Sequence, residues 1–261
     1  MTLKRFAAFV ALLAVLAGAC TSGATTAPAL TDPKDILGQS IAALQGVKSF
    51  HIHADLAGSF KADLTGSGTA TPLDLGGTTA DVDVDVASKH AHVAASAPSL
   101  LGVTLDMIVI DQDTYMKVSL LGPKYKKSTT SALSSAAPGL GSEAPTDPTQ
   151  FLGDVKAALD KLATPPVKDA DEKCGDQDCY KVTVTLASSD LAGAGSALGS
   201  DVTGSGTLDV WVRKSDLVPA KAVATVSAGD QGSLTVTLTL SNVNGSVSIQ
   251  APPADQIDPN P

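Results

Sequence analysis

Two pairs of histidines, His51 with His53 and His90 with His92, stand two residues apart. In an extended chain that spacing puts both imidazoles of a pair on one side of the strand, a geometry able to chelate zinc or copper. Four imidazoles would converge if the two segments paired. No carboxylate accompanies them at a ligand spacing, and polar residues on a solvent-facing strand satisfy the same pattern, so no metal site is assigned. Asp81, Asp83 and Asp85 resemble the start of a calcium loop, but Val86 stands where that loop needs glycine and His92 where it needs glutamate. They fit a solvated strand face. The many serines have neither a Gly-x-Ser-x-Gly turn nor a histidine at catalytic spacing, and Gly195, Gly204 and Gly206 build no phosphate loop. The expectation is a protein with no catalytic residue and no cofactor.

The remaining reactive groups are thiols. Lys4 and Arg5 precede an apolar run over residues 6–19, which ends in Leu16-Ala17-Gly18-Ala19 ahead of Cys20. At ~1.5 Å per residue this run spans roughly 21 Å, short of the ~30 Å hydrocarbon core, so residues 1–19 read as a signal peptide to be cut rather than a membrane span. Small residues directly before a cysteine look like the lipobox of bacterial lipoproteins, in which the thiol is diacylglycerated and the cysteine becomes the first residue of the mature protein. The lipobox leucine sits three residues before the cysteine; here Ala17 holds that place and Leu16 lies one further back. The alternative is an ordinary signal peptide cut after Ala19, leaving a free thiol. Several acyl chains anchor durably where one is marginal. Lipidated Cys20 would thus hold the domain on the extracytoplasmic face of the cell membrane. In that compartment Cys174 and Cys179 favour a disulfide around Gly175-Asp176-Gln177-Asp178, with zinc the weaker reading.

Without residues 1–19 the chain keeps 242 of its 261 residues, with 16 basic against 27 acidic side chains, a net charge of about −11. Nucleic acid is excluded as a partner, because phosphate binding is dominated by Lys and Arg. Aromatics make up 3% of the chain while small aliphatics abound, so the interior either packs very tightly or leaves space.

Residues 20–31 have the composition of a flexible tether. Asp32-Pro33 then opens a helix with Ile36, Leu37, Ile41 and Leu44 along one side, ended by Gly46. From residue 49 the period becomes two. Strands are predicted over 49–57 and 59–70, joined near Gly58, then through Val82, Val84 and Val86, over 89–97, over 103–111 with Leu105, Met107 and Val109, and over 114–119. Their connections suit an antiparallel meander. Residues 122–148, rich in Ser, Ala, Pro and Gly and carrying Lys124, Lys126 and Lys127 around Tyr125, read as a long loop. The lysines would meet an anionic headgroup or simply solvent. Asp147-Pro148 opens a second helix with Phe151, Leu152, Val155, Leu159 and Leu162 along one side, stopped by Pro165-Pro166. A second meander follows: Val182, Val184 and Leu186 in 180–187; Leu208, Val210 and Val212 in 202–213; then 218–227; then Leu234, Val236, Leu238 and Leu240 in 233–242. Residues 188–200 are too glycine-rich to assign, and 251–261 form a Pro-rich tail with little core-forming power. The reading is a single α+β domain over 32–250, a continuous antiparallel sheet with helices on its apolar face.

The chain resembles the LppX/LprG group of actinobacterial lipoproteins (LppX, LprA, LprF and LprG). The resemblance lies in Cys20, the opening helix running into Gly46-Val47-Lys48-Ser49-Phe50-His51, the segment Asp111-Gln112-Asp113-Thr114-Tyr115, the Asp147-Pro148 helix start, and Leu208-Asp209-Val210-Trp211-Val212 leading to Leu217-Val218-Pro219. It implies a strongly curved half-barrel sheet of the LolA/LolB type, with helices in its concavity and an apolar cavity between them. It implies an acyl lipid or glycolipid ligand, carriage through the cell envelope, a lipid exporter as partner, and a monomer. The lining candidates rest on periodicity: Leu37, Ile41 and Leu44; Val82, Val84 and Val86; Leu105, Met107 and Val109; Phe151, Leu152, Val155 and Leu159; and Val182, Val184, Leu186, Leu208, Val210, Val212, Val236 and Leu238 of the second meander. The rival is a surface lipoprotein with a filled core that serves as an interaction or transporter-accessory module.

Overall fold

In the computed structural model, which describes residues 29–62, 71–129, 156–157, 159–188 and 204–259, the predicted first helix is present as α1, Pro33–Leu44. Asp32 Oδ1 accepts from the backbone N–H of Lys34 (2.7 Å) and Asp35 (3.2 Å), which satisfies two of the donors that a helix start leaves open. Ile36, Leu37 and Ile41 are buried, as the stripe requires, while Leu44 is half-buried. Lys156, Ala157, Leu159 and Asp160 are helical and fall within the predicted second helix. Phe151, Leu152 and Val155 of that helix lie outside the described residues, as do Cys20, the signal segment and residues 189–203.

The strands are β1 Ser49–Ala62, β2 Thr71–Asp74, β3 Thr78–Asp85, β4 His90–Ala97, β5 Val103–Ile110, β6 Asp113–Val118, β7 Lys126–Thr129, β8 Val167–Lys168, β9 Glu172–Cys174, β10 Gln177–Leu186, β11 Ser205–Arg213, β12 Pro219–Ser227 and β13 Gly232–Ser241. They form one sheet in the order β7-β6-β5-β4-β3-β1-β13-β12-β11-β10-β8, with β2 also on β1 and β9 also on β10. The paired strands run antiparallel. The sheet is open, since β7 and β8 at its two ends do not pair with each other. Residues 31–261 make one compact unit, so a soluble form beginning at residue 21 keeps the whole of it. Cys174 and Cys179 are bonded across the β9–β10 turn, with Cα atoms 5.9 Å apart.

Three expectations are corrected. The break expected at Gly58 is absent, and β1 continues through it. Gly58 has φ 111°, and a Cβ there would strike the carbonyl of Ser233, so glycine serves a close approach of β1 to β13 and not a turn. Next, Val86 lies in the turn past the end of β3, its N–H bonded to Lys48 O. Finally, part of the predicted 122–148 loop is strand β7, hydrogen-bonded to β6.

Tyr125, placed by sequence in that loop, is 6% exposed and joins Ile108 and Tyr115 in a core cluster. Ile249 and Ile257 pack against the cluster. The Pro-rich end of the chain therefore contributes to the core after all. Tyr125 N–H donates to Gln256 O (2.9 Å) and Asp258 N–H donates to Tyr125 O (2.8 Å). The Tyr125 hydroxyl donates to Asp106 Oδ2 (2.8 Å). Removing one partner of a buried hydrogen bond costs about 1–2 kcal/mol. In a domain of this size that corresponds to roughly 3–6 °C. Tyr125→Phe is expected to lower the melting temperature by that amount in a calorimetric scan; an unchanged midpoint would show that the hydroxyl does not hold this corner.

Candidate ligand-binding face

Cross-strand register decides which residues share a face, because side chains alternate along a strand and directly paired residues point the same way. Val184 pairs with Leu208 and Val182 with Val210 across β10–β11. Leu208 pairs with Ala224 and Val210 with Ala222 across β11–β12. Ala224 then pairs with Val236 and Ala222 with Leu238. Val236 meets Leu56 and Leu238 meets Ala54 on β1. Beyond β1, Ile52 meets Val82 and Phe50 meets Val84; Val82 meets Val93, which meets Met107, which meets Met116. The two meanders thus present one apolar face that runs unbroken from β6 to β10. Of the lining candidates proposed from strand periodicity, all but Val86, which lies in the turn after β3, are on it: Val82, Val84, Leu105, Met107, Val109, Val182, Val184, Leu186, Leu208, Val210, Val212, Val236 and Leu238. Periodicity within a strand was the signal for them. It missed Ile52, Ala54 and Leu56, whose strand was divided at Gly58 in the sequence reading.

The face is covered unevenly. Helix α1 contacts β10 and β11, and there Ile36, Val182 and Val212 are 0% exposed. Away from the helix the larger apolar side chains that β1, β3, β4, β5, β12 and β13 turn to this face are only half-buried, although Ala54 is buried, and Leu238 is 39% exposed. Much of the floor between the larger side chains is alanine: Ala54, Ala80, Ala91, Ala95, Ala222 and Ala224. A methyl leaves volume above the sheet that a leucine would fill. Beside α1 a cleft of about 50 Å³ is lined by Lys34, Leu37, Gly38, Ile41, Lys156, Leu159, Asp160 and Pro166. Leu37, Ile41 and Leu159 of the predicted set meet there. Ligand pockets measure ~300–1,000 Å³, so this cleft is no acyl-chain cavity.

The opposite face is mixed: Ile108 and Tyr115 of the core cluster lie on it, beside columns of His and Asp. Asp83 on β3 lies between His51 on β1 and His92 on β4, so the two histidine strands do not pair, and the four-histidine convergence considered from sequence does not form. His51 Nδ1 donates to Asp83 Oδ1 (2.9 Å), His53 Nδ1 to Asp81 Oδ1 (2.7 Å) and His92 Nε2 to Asp106 Oδ1 (3.0 Å). Among the described residues no group of three or more His, Cys, Asp or Glu could hold a metal ion. The Asp81 hydrogen bond holds the His53 pKa above its ordinary value. Burial pushes Asp106 upward, but hydrogen bonds from Tyr125 and His92 and the charge of Lys117 outweigh it and hold that carboxyl below the usual range. Toward the other end, Trp211 Nε1 donates to Glu172 Oε2 (2.8 Å), with Lys181 and Lys221 over the indole ring at 5.1 and 5.0 Å. The Trp211 bond, joined by Lys181, holds Glu172 below the ordinary carboxylate range.

No family model matches the chain, and no curated protein does. Solved structures do match. The Mycobacterium tuberculosis lipoprotein LppX superposes with a TM-score of 0.52 at 19% identity, covering 84% of this chain and 98% of LppX. LprF of Mycobacterium bovis gives the same score and identity, covering 84% of this chain and 96% of LprF. The likeness expected from the sequence is thus present as a shared fold. A LolA superfamily protein from Nitrosomonas europaea aligns over 87% of this chain and 97% of its own at 13% identity, with a TM-score of only 0.28.

A histidine whose pKa rises on folding contributes stability that is full below its unfolded value near 6.5 and is lost as pH climbs through the raised value. The protein is therefore expected to melt lower at pH 8 than at pH 6 by more than its Asp81→Asn variant does. Equal pH dependence in the two would show that the His53–Asp81 pair does not couple protonation to stability.

Proposed function

We propose that this protein is a membrane-anchored lipoprotein that binds acylated lipid or glycolipid along its apolar sheet face and carries it through the cell envelope. The observation that carries the reading is the unbroken apolar face from β6 to β10, left half-buried away from α1. The fold shared with LppX and LprF supports it. A 16-carbon chain in water carries an unfavourable transfer energy of roughly 13 kcal/mol at ~0.8 kcal/mol per methylene, which makes unaided crossing of an aqueous gap slow. A sheet face of alternating Val and Leu over an alanine floor offers apolar surface without a closed door. Given the small cleft beside α1, the acyl chain lies along the sheet and the headgroup stays at its rim.

The mechanism needs no catalytic group. Lipidated Cys20 keeps the domain at the outer leaflet of the cytoplasmic membrane, and the tether of residues 20–31 gives it reach. Loading and delivery pass through a lipid exporter or an acceptor membrane.

Native mass spectrometry of the soluble protein from residue 21, purified from a related host and followed by organic extraction, is expected to show discrete added masses that extract as acyl lipid. Leu238→Asp puts a charge on the face at a side chain that is 39% exposed. It is expected to fold and to cut lipid retention about ten-fold, the factor matching ~1.4 kcal/mol. A clean apo mass that stays unchanged after incubation with host lipid extract would move the assignment to the interaction module.

A further inference from the structure

The β4–β5 turn and the segment after β6 leave the sheet side by side. Ser119 N–H donates to Thr104 O and Thr104 N–H donates to Ser119 Oγ, both at 3.0 Å, so the two segments are tied at their base. Leu101 stands three residues before Thr104, and Leu120 and Leu121 directly follow Ser119. By chain path through that tie, at most ~3.5 Å per residue plus ~5 Å between strands, the three lie within roughly 22 Å of one another. They are 90%, 63% and 66% exposed, whereas the next most exposed large apolar side chains among the described residues, Val167 and Leu238, lie on other strands. One exposed leucine is ordinary on a protein surface; three on one rim form a patch.

The backbone adds a second observation. Leu101 has φ 59°, the left-handed region that a leucine disfavours. Leu217 shares that conformation at φ 60° but is half-buried, so packing compensates it; Leu101 is bare. The leucine side chain at position 101 thus buries almost no surface in the folded domain. Close behind the patch, Lys124 and Lys126 are exposed and make no ion pair with a described residue, while Lys117 and Lys127 are held by Asp106 and Asp113.

We propose that this rim is a bilayer-contact surface, in which Leu101, Leu120 and Leu121 enter the interfacial layer of a lipid leaflet and Lys124 and Lys126 meet anionic headgroups. Protruding apolar tips backed by unpaired cations match an interface that is oily below and negatively charged above. The domain's overall acidity makes those local lysines necessary for approach to an anionic surface. The apolar sheet face reaches this rim through Val103, Leu105 and Val118. Twelve residues can span at most about 40 Å at ~3.5 Å per residue, so an anchor at Cys20, as proposed above, would leave the rim within reach of the leaflet. This contact does not depend on the acyl-binding reading.

The test is co-sedimentation of the soluble protein from residue 21 with vesicles of phosphatidylcholine alone and of phosphatidylcholine with phosphatidylglycerol in a two-to-one mixture. Binding is expected, stronger on the mixed vesicles. Leu101→Asn and the double variant Leu120→Ser with Leu121→Ser should weaken it about ten-fold per leucine removed. Lys124→Glu with Lys126→Glu should abolish the preference for the anionic mixture. Asparagine tolerates positive φ, so Leu101→Asn should melt no lower than the parent, which separates lost binding from lost folding. Acyl load measured in the same samples should stay unchanged, which keeps failure of the rim distinct from failure of the sheet face as a ligand site. A parent protein that binds neither vesicle, or leucine variants that bind as well as it does, would overturn the proposal. So would a dimer broken by the same substitutions without vesicle binding, which would assign the rim to a second copy of the chain.

Discussion

The pairing of residues 51–60 of β1 with residues 232–241 of β13 is the constraint on which the rest of the sheet depends. It is the seam between two meanders that would otherwise be separate sheets, each with a bare edge. Because side chains alternate with a period of two, a slip of one residue at this seam would turn the apolar side chains of one meander toward the acidic side of the other. Two glycines, Gly58 and Gly232, sit where the strands come closest, and a Cβ on either would meet the opposing backbone. They permit one register and resist its neighbours. The apolar face exists as a single surface only because that seam is in register.

The same alternation fixes what the reverse face must do. Each valine or leucine turned toward the helix side leaves its neighbour turned away, and on β1, β3 and β4 those neighbours are His and Asp in alternating columns. Charges of one sign facing each other across strands would be destabilising, and the His–Asp pairs relieve that where the acidic strand β3 would otherwise concentrate it. At the far end Lys181 and Lys221 stand over Trp211, and Lys181 also reaches the Glu172 carboxylate.

Much of this was legible in the sequence, and what was not has local causes. Helix α1 was legible because a capping aspartate, a proline in the first turn and an apolar stripe agree. The strands of both meanders were legible because Val and Leu alternate with polar residues. The continuity of β1 was not, since Gly58 reads locally as punctuation and only the approach of β13 explains it. Strand β7, Lys126–Thr129, has no apolar alternation and exists through its pairing with β6. The docking of Ile257 on Tyr125 joins segments far apart in the chain, and nothing near either residue announces it. The partners of the histidines were not legible for a related reason: spacing along a strand says which side a residue faces, and only register says that Asp81 and Asp83 stand beside them. The face itself was legible, while the expected closed cavity was not a property that alternation can reveal.

The contact between Tyr125 and residues 256–258 also sets an order of events in synthesis. Ribosomes release a chain from its N-terminal end, so β7 and its neighbours are made long before the segment that bonds both the N–H and the C=O of Tyr125. Until that segment emerges, the corner of the sheet at β7 offers unpaired backbone groups to any passing strand, the feature that invites aggregation. The seam waits as well, because β1 is made early and β13 late. A nascent chain of this fold is thus most vulnerable until residues 232–258 have emerged, and holding factors would matter most up to that point.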